Sequence, residues 1–141
     1  MIIKLGFVII GVFTTTLGSM HFFFPILLDF KNAIPRDGSP LKPFHLWLIR
    51  YNTTRQDVQG VAWVMNHAAS YVLVTIGLLE IFAWKWIETP AGHWLSLWIA
   101  GWWFLRAGSQ LYLGKRRGDW LILVGFALLG LWHVLGIIAL P

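Results

Sequence analysis

The chain has 141 residues, of which 57% are hydrophobic and 12% are charged, and it carries a net charge of +5 and no cysteine. Because soluble domains contain about 25% charged residues, this composition excludes an ordinary soluble globular domain. The lack of cysteine excludes disulfides and thiol chemistry. We assign the positive charge to loops that flank a membrane, and we expect no nucleic-acid binding.

Four apolar stretches predict transmembrane helices at about residues 2–28, 57–84, 91–113 and 119–140. Each stretch approaches or exceeds the ~20 residues that cross a bilayer core. The first is too long for the apolar region of a signal peptide, and no cleavage site follows it, so we interpret it as a retained helix. The sequence therefore predicts an all-α fold. We expect a four-transmembrane-helix bundle with a long loop between helices 1 and 2, in a single integral membrane domain over residues 1–141.

Short local signals mark the starts of three of these helices. Thr54 with Asp57 three residues later is typical of a capping box. Thr89-Pro90 places proline at the first helical position, and Asp119 is a candidate N-cap of the last helix. The turn at residues 114–119 is short, so the last two helices should be antiparallel neighbours.

The basic residues fall mainly on one side of the predicted spans, which orients the chain. One side carries Lys31, Arg36, Lys42, Arg50, Arg55, Lys115, Arg116 and Arg117, and the other carries Lys4 and Lys85. Basic loops stay in the cytoplasm, so both termini should be non-cytoplasmic, in a bacterial inner membrane or its equivalent. Within the long loop, residues 44–51 fit either a short amphipathic segment lying flat at the interface or an ordinary connector.

The first helix carries one face of small or polar residues that ends in a proline. The face consists of Gly11, Thr14, Gly18 and His21, followed by Pro25. Small residues allow helices to approach closely in a membrane. Proline has no N–H, so Pro25 should leave the carbonyl of His21 without its helical partner. His21 is therefore expected beside a free backbone acceptor.

Arg106 lies inside the third apolar stretch, one helical turn before Gln110 and close to Trp102 and Trp103. A guanidinium there costs about 2.5–3.5 kcal/mol on insertion scales, so it normally has a partner or a ligand. Counting depth at ~1.5 Å per residue predicts one polar layer in the cytoplasmic half of the bundle. Its members are His21, Asn66, His67, Arg106 and Gln110, with Ser70 on the same helix face as Asn66.

No carboxylate reaches this predicted layer, which favours an anionic or carbonyl-bearing ligand for Arg106. By the same count Glu80 lies near the outer surface, either solvated or pairing helices, and His133 lies about 20 Å deep and hydrogen-bonds between helices. Arg106 could instead snorkel to the cytoplasmic surface. The polar side chains of the layer could also serve only to hold helices together.

Two segments resemble the pattern of DoxX-like small four-helix membrane proteins. They are Gly18-Ser-Met-His21-Phe22-Phe-Phe-Pro25 with Ile34-Pro35, and Gly77-Leu-Leu-Glu80-Ile81, so the resemblance covers about residues 14–82. It implies a four-helix bundle, and some members of that family are small subunits linked to quinone-dependent oxidation. The loop between helices 1 and 2 is longer than in that pattern, and the Arg106–Gln110 segment has no counterpart in it.

Three functions remain open on the sequence. In the first, an intramembrane pocket binds or transforms a lipid, sterol, isoprenoid or quinone, with Asn66, Ser70, Arg106, Gln110, Trp102 and Trp103 as ligand-binding residues. If this protein is an enzyme, His21 or His67 would be its acid or base, since imidazole titrates near neutral pH. In the second, the chain is a non-catalytic subunit or assembly factor of a membrane complex, or a homo-oligomer. In the third, His21 and His67 ligate haem b.

Overall fold

The computed structural model describes residues 2–112 and 118–140. It is mostly helical, at 77%, and is all-α with six helices among the described residues. The helices are α1 (Ile2–His21), α2 (Phe24–Leu27), α3 (Phe30–Ala33), α4 (Arg55–Ile81), α5 (Pro90–Ser109) and α6 (Asp119–Ala139), and two strands, β1 (Phe44–Leu46) and β2 (Ile49–Tyr51), form a small hairpin. Single 3-10 turns follow α4 and α5, at Ala83–Lys85 and Gln110–Tyr112.

Three of these helices, α1, α4 and α6, are long and apolar enough to cross a membrane. Their outer faces expose large apolar side chains, such as Ile9 at 62%, Leu128 at 59% and Ile138 at 71%. Exposed apolar surface on this scale is unusual for a soluble monomer and suits contact with lipid. Helix α5 also has 20 residues, including four tryptophans and Arg106, but it is not among these three.

The first helix ends at His21, earlier than the expected boundary at residue 28. Pro25 is at the second position of the short helix α2, where its missing N–H removes no hydrogen bond. The chain then turns through Asp29, which has a left-handed backbone with φ of 48°. Helix α1 ends here because Pro25 cannot continue it, and the chain goes on as the two short helices α2 and α3.

The predicted helix starts at α4 and α5 are confirmed. The backbone N–H of Thr54 donates to Asp57 Oδ2 at 2.8 Å, and Asp57 N–H donates back to Thr54 Oγ1 at 3.1 Å, which is a capping box. Thr89 Oγ1 accepts from the N–H of Gly92. At α6 the expected cap is wrong: Gly118 is the N-cap and Asp119 is the first helical residue, which places its charge favourably near the positive end of the helix. The predicted turn at 114–119 lies, up to residue 117, outside the described residues.

The chain divides into two compact units, and the single membrane domain stays a prediction. Unit 1 is Met1–Val12 with Leu78–Pro141. In it α5 packs along α6. Gly130 and Gly136 are close-packing points, since a Cβ there would come within 2.8 Å of Phe104 and 2.7 Å of Phe7. At Gly125, by contrast, a Cβ would face open space.

Unit 2 is Phe13–Gly77 and pairs the second half of α1 with α4. The two helices approach closely at Gly18, where a Cβ would lie 2.7 Å from the backbone nitrogen of Val74. The buried amide of Gln59 holds the loop that follows α1, because its Nε2 donates to the carbonyl of Ile34 at 2.7 Å. Its Oε1 accepts from Arg36 Nε. Part of the long loop is therefore fixed to α4 by one side chain.

Candidate functional site

A buried polar cluster lies in unit 1, where Glu80, Ser96 and His133 meet with no solvent exposure. Glu80 comes from the last turn of α4, Ser96 from α5 and His133 from α6. His133 Nε2 lies 2.9 Å from Glu80 Oε1, and His133 Nδ1 lies 3.0 Å from Ser96 Oγ. One imidazole therefore links three helices.

Two hydrogen-bond patterns satisfy the Glu80–Ser96–His133 cluster. If Ser96 donates to the carbonyl of His133, 3.2 Å away, then Nδ1 donates to Ser96, and Nε2 and Glu80 share one further hydrogen. If Ser96 donates to Nδ1, then Nε2 donates to the carboxylate. Both patterns keep the same contacts between heavy atoms.

The cluster has an aromatic neighbour on α1, Phe7. The ring of Phe7 meets the ring of His133 edge-on, with centroids 5.1 Å apart. Glu80 Oε2 is buried and has no hydrogen-bond partner among the described residues. An orphaned buried oxygen costs about 1–3 kcal/mol, more if it is charged, so the cluster relies on the contacts of Oε1.

Sequence reasoning missed this cluster. The solvated alternative for Glu80 is wrong, because its side chain is fully buried; the helix-pairing alternative is confirmed by its contact with His133. One signal was present: Ser96 lies thirteen residues before the end of α5, and His133 lies fourteen after the start of α6. At 1.5 Å per residue both are about 20 Å from the same ends of neighbouring antiparallel helices.

A second feature of unit 1 is a group of N–H donors on α5, which we call the donor group: Trp102, Trp103 and Arg106. Trp102 Nε1, Trp103 Nε1 and Arg106 Nε are buried, and none has a hydrogen-bond partner in the described part of the chain. Each tryptophan lies one helical turn from Arg106 and is therefore its neighbour on the helix surface.

The donor group lies against aromatic surface. The Trp103 ring is 5.3 Å from the ring of Phe126 on α6, and the Arg106 guanidinium carbon lies 5.8 Å from the same ring. Trp103 is fully buried, whereas Arg106 is half-buried and thus reachable from one side. Gln110, one turn further on, is also buried. The guanidinium therefore has a cation–π contact, and no described carboxylate pairs with it.

In unit 2 the structure brings His21, Asn66 and Ser70 together. Asn66 Nδ2 donates to the carbonyl of His21 at 2.9 Å, the acceptor to which Pro25 has no N–H to donate. Ser70 Oγ donates to the carbonyl of Asn66 at 2.7 Å and lies 3.3 Å from His21 Nδ1. These groups largely satisfy one another, which is a helix-pairing arrangement.

His67 lies apart from this trio and is exposed. Its Nδ1 is 2.8 Å from the carbonyl of Trp63, one turn back on α4, and its ring stacks on the Trp63 ring. A histidine held in this way at Nδ1 presents Nε2 outward, the geometry that ligating histidines commonly adopt. Haem ligation by His21 and His67 stays a prediction, as do their acid and base roles. Among the described residues no group of three or more His, Cys, Asp or Glu could hold a metal ion.

Each unit holds some of the predicted site residues. His21, Asn66 and Ser70 meet in unit 2. In unit 1, Trp102, Trp103 and Arg106 lie on α5, and Gln110 begins the 3-10 turn that follows it. A single layer that joins both sets stays a prediction.

No protein-family model matches the chain, and neither a curated protein nor a solved structure matches it.

Proposed function

We propose that this chain is an integral membrane protein that binds the polar head of a small amphipathic molecule at the donor group on α5. The observation that supports this most is that Trp102, Trp103 and Arg106 bury three N–H groups without an acceptor among the described residues. Buried donors are nearly always paired in native proteins. A ligand that supplies acceptors would satisfy all three.

The chemistry of the donor group selects the kind of head that fits. Indole and guanidinium groups only donate, so the ligand must present oxygen acceptors, as a phosphate, carboxylate, carbonyl or hydroxyl does. The half-exposed guanidinium favours an anionic or strongly polarised oxygen, because hydrogen bonds to charged groups are the stronger ones. The ligand's apolar part would lie along exposed side chains such as Leu105. Lipids, sterols, isoprenoids and quinones all meet these requirements.

The membrane arrangement that accompanies this proposal has four spans: α1, α4 and α6, together with α5, which is the third in chain order. Helix α5 is about 30 Å long, which matches a bilayer core. In this topology both termini are non-cytoplasmic and the loop between α1 and α4 is cytoplasmic, as the distribution of lysine and arginine favours. The DoxX-like resemblance is compatible with such a bundle and stays a prediction.

A second candidate function is a non-catalytic subunit or assembly factor. The Glu80–Ser96–His133 cluster supports it, because this cluster is fully enclosed and ties three helices together without offering a reactive group to solvent. The mutual hydrogen bonds of His21, Asn66 and Ser70 support it in the same way. In this alternative the donor group would meet acceptors of a partner chain.

Mass spectrometry of lipids that co-purify with the protein in a mild detergent tests the proposal. We expect a species with an acidic or carbonyl-bearing head to co-purify with the unaltered chain. Arg106→Leu should reduce it about 10- to 100-fold, since a charge-assisted hydrogen bond contributes about 1.5–3 kcal/mol. Trp102→Phe and Trp103→Phe keep an aromatic ring but lose the N–H, so each should reduce it about 2- to 10-fold.

Lys85→Leu is the matched control. Lys85 also lies in unit 1 and stacks its ammonium on the rings of Phe82 and Trp84, so this change removes one positive charge and one cation–π contact elsewhere. It should leave the co-purified species unchanged. Equal lipid profiles for the parent, Arg106→Leu and Lys85→Leu would contradict the ligand function and favour the subunit function.

A further inference from the structure

The β1–β2 hairpin carries an unusual apolar tip. Its antiparallel register pairs His45 with Arg50, and Trp47 and Leu48 form the turn between the strands. Trp47 is 97% exposed and Leu48 is 99% exposed. Trp47 also has a left-handed backbone, with φ of 55°, which costs free energy for a side chain of this size. Two large apolar side chains are thus held away from the rest of the protein.

The position of the hairpin along the chain places it close to a membrane surface. Helix α4 begins at Arg55, after only three residues beyond the end of β2, Tyr51. The four residue steps from Tyr51 to Arg55 span at most about 14 Å. Because α4 is long and apolar enough to cross a membrane, the base of the hairpin lies within about that distance of its first residue. An apolar tip in this place can reach the lipid headgroups.

The charge of the hairpin indicates which lipids it would meet. Residues 42–51 contain Lys42 and Arg50, both exposed, and no aspartate or glutamate. Arg55 follows at the start of α4, where its guanidinium donates to the carbonyl of Ser39. A basic segment beside a bilayer is attracted to anionic lipid, by about 1 kcal/mol for each lysine or arginine near the surface.

We propose that Trp47 and Leu48 insert into the boundary between headgroups and acyl chains of an anionic phospholipid leaflet, with Lys42 and Arg50 against lipid phosphates. Tryptophan favours this depth because its ring is apolar and its N–H is polar. Burying Leu48 removes an apolar side chain from water, which stabilises the inserted state. The inference rests on membrane embedding of α4 and is independent of ligand binding at the donor group.

Spin-label accessibility measures the insertion directly, because the chain has no cysteine and a single one can be introduced at will. Leu48→Cys, carrying a nitroxide, is compared with Asn52→Cys just beyond the base of the hairpin, in nanodiscs of phosphatidylcholine alone or mixed equally with phosphatidylglycerol. We expect the label at position 48 to be accessible to oxygen and shielded from a water-soluble nickel complex in the anionic nanodiscs. The label at 52 should remain accessible to nickel.

Removing the basic charges gives the second comparison. Lys42→Gln together with Arg50→Gln should make the label at 48 several-fold more accessible to nickel in the anionic discs, and should change little in pure phosphatidylcholine. Equal nickel accessibility at 48 and 52 in both kinds of disc would overturn the inference. So would a label at 48 shielded from both oxygen and nickel, because that result indicates cover by protein, such as a second copy. The lipids that co-purify with Leu48→Cys should be the same as for the parent chain. This comparison distinguishes a failure of hairpin insertion from a failure of ligand binding at the donor group.

Discussion

Replacing His133 with leucine is expected to destabilise unit 1 strongly, because it leaves Glu80 buried without its partner. Glu80 has no solvent exposure, and His133 Nε2 is the group that pairs with its Oε1, while Oε2 has no partner among the described residues. After the change, neither carboxyl oxygen of Glu80 would have a hydrogen-bond partner among the described residues. Leucine fills most of the space of the imidazole, so the expected effect is electrostatic and not a cavity.

The expected cost can be set from these contacts. Breaking a buried ion pair by removing one partner costs about 3–5 kcal/mol, whereas replacing both partners with apolar side chains is often neutral or stabilising. We therefore expect His133→Leu to lower the free energy of unfolding by about 3–5 kcal/mol, and Glu80→Met to cost less, because a neutral imidazole can remain. The double variant should recover most of the loss.

Reversible unfolding in mixed detergent, followed by tryptophan fluorescence, measures the four members of this double-mutant cycle. Leu135→Ala, an exposed position on the same helix, serves as control and should cost little in detergent. Equal stability of His133→Leu and the parent chain would refute the reasoning. A double variant as unstable as the sum of the two single changes would refute it too, because residues in contact must show a coupling energy.

Three further changes test unit 2 and the topology. Gly18→Ala should lower stability by about 1–3 kcal/mol in the same unfolding assay, because its Cβ would meet the backbone of α4, whereas Gly125→Ala faces open space and should be neutral or stabilising. Asn66→Ala should cost about 0.5–1.5 kcal/mol, since it removes the hydrogen bond from Asn66 to the carbonyl of His21; stability equal to the parent would contradict a stabilising role for this bond. Ser39→Cys should resist an impermeant thiol reagent applied outside intact cells, and rapid labelling there would reverse the proposed orientation.

Local chemistry made parts of the fold predictable from sequence. The capping box at Thr54 and the Thr89-Pro90 start depend on residues three apart or adjacent, so they could be located without a tertiary structure. The missing N–H of Pro25 made the carbonyl of His21 a predictable acceptor, and Asn66, a member of the predicted layer, donates to it. Signals of this kind arise within a few residues of one another.

Features that depend on contacts between distant segments were predicted less well. The length of α4 placed Glu80 near an outer end, but its burial depends on side chains from α5 and α6 that cover it. The hairpin was missed because residues 44–51 lack the glycine or asparagine that usually marks a two-residue turn, and Trp47 occupies the left-handed position instead. Helix periodicity contains no information about either arrangement.

A structure determined in lipid nanodiscs, with an antibody fragment to add mass, tests the central claim most directly, because it shows what meets the donor group. We expect non-protein density with an acceptor at about 2.7–3.2 Å from Arg106 Nε, and an apolar tail beside α5. The same density should be absent in Arg106→Leu. A protein carbonyl or carboxylate bonded to Arg106 Nε, or a guanidinium extended into water, would contradict the account.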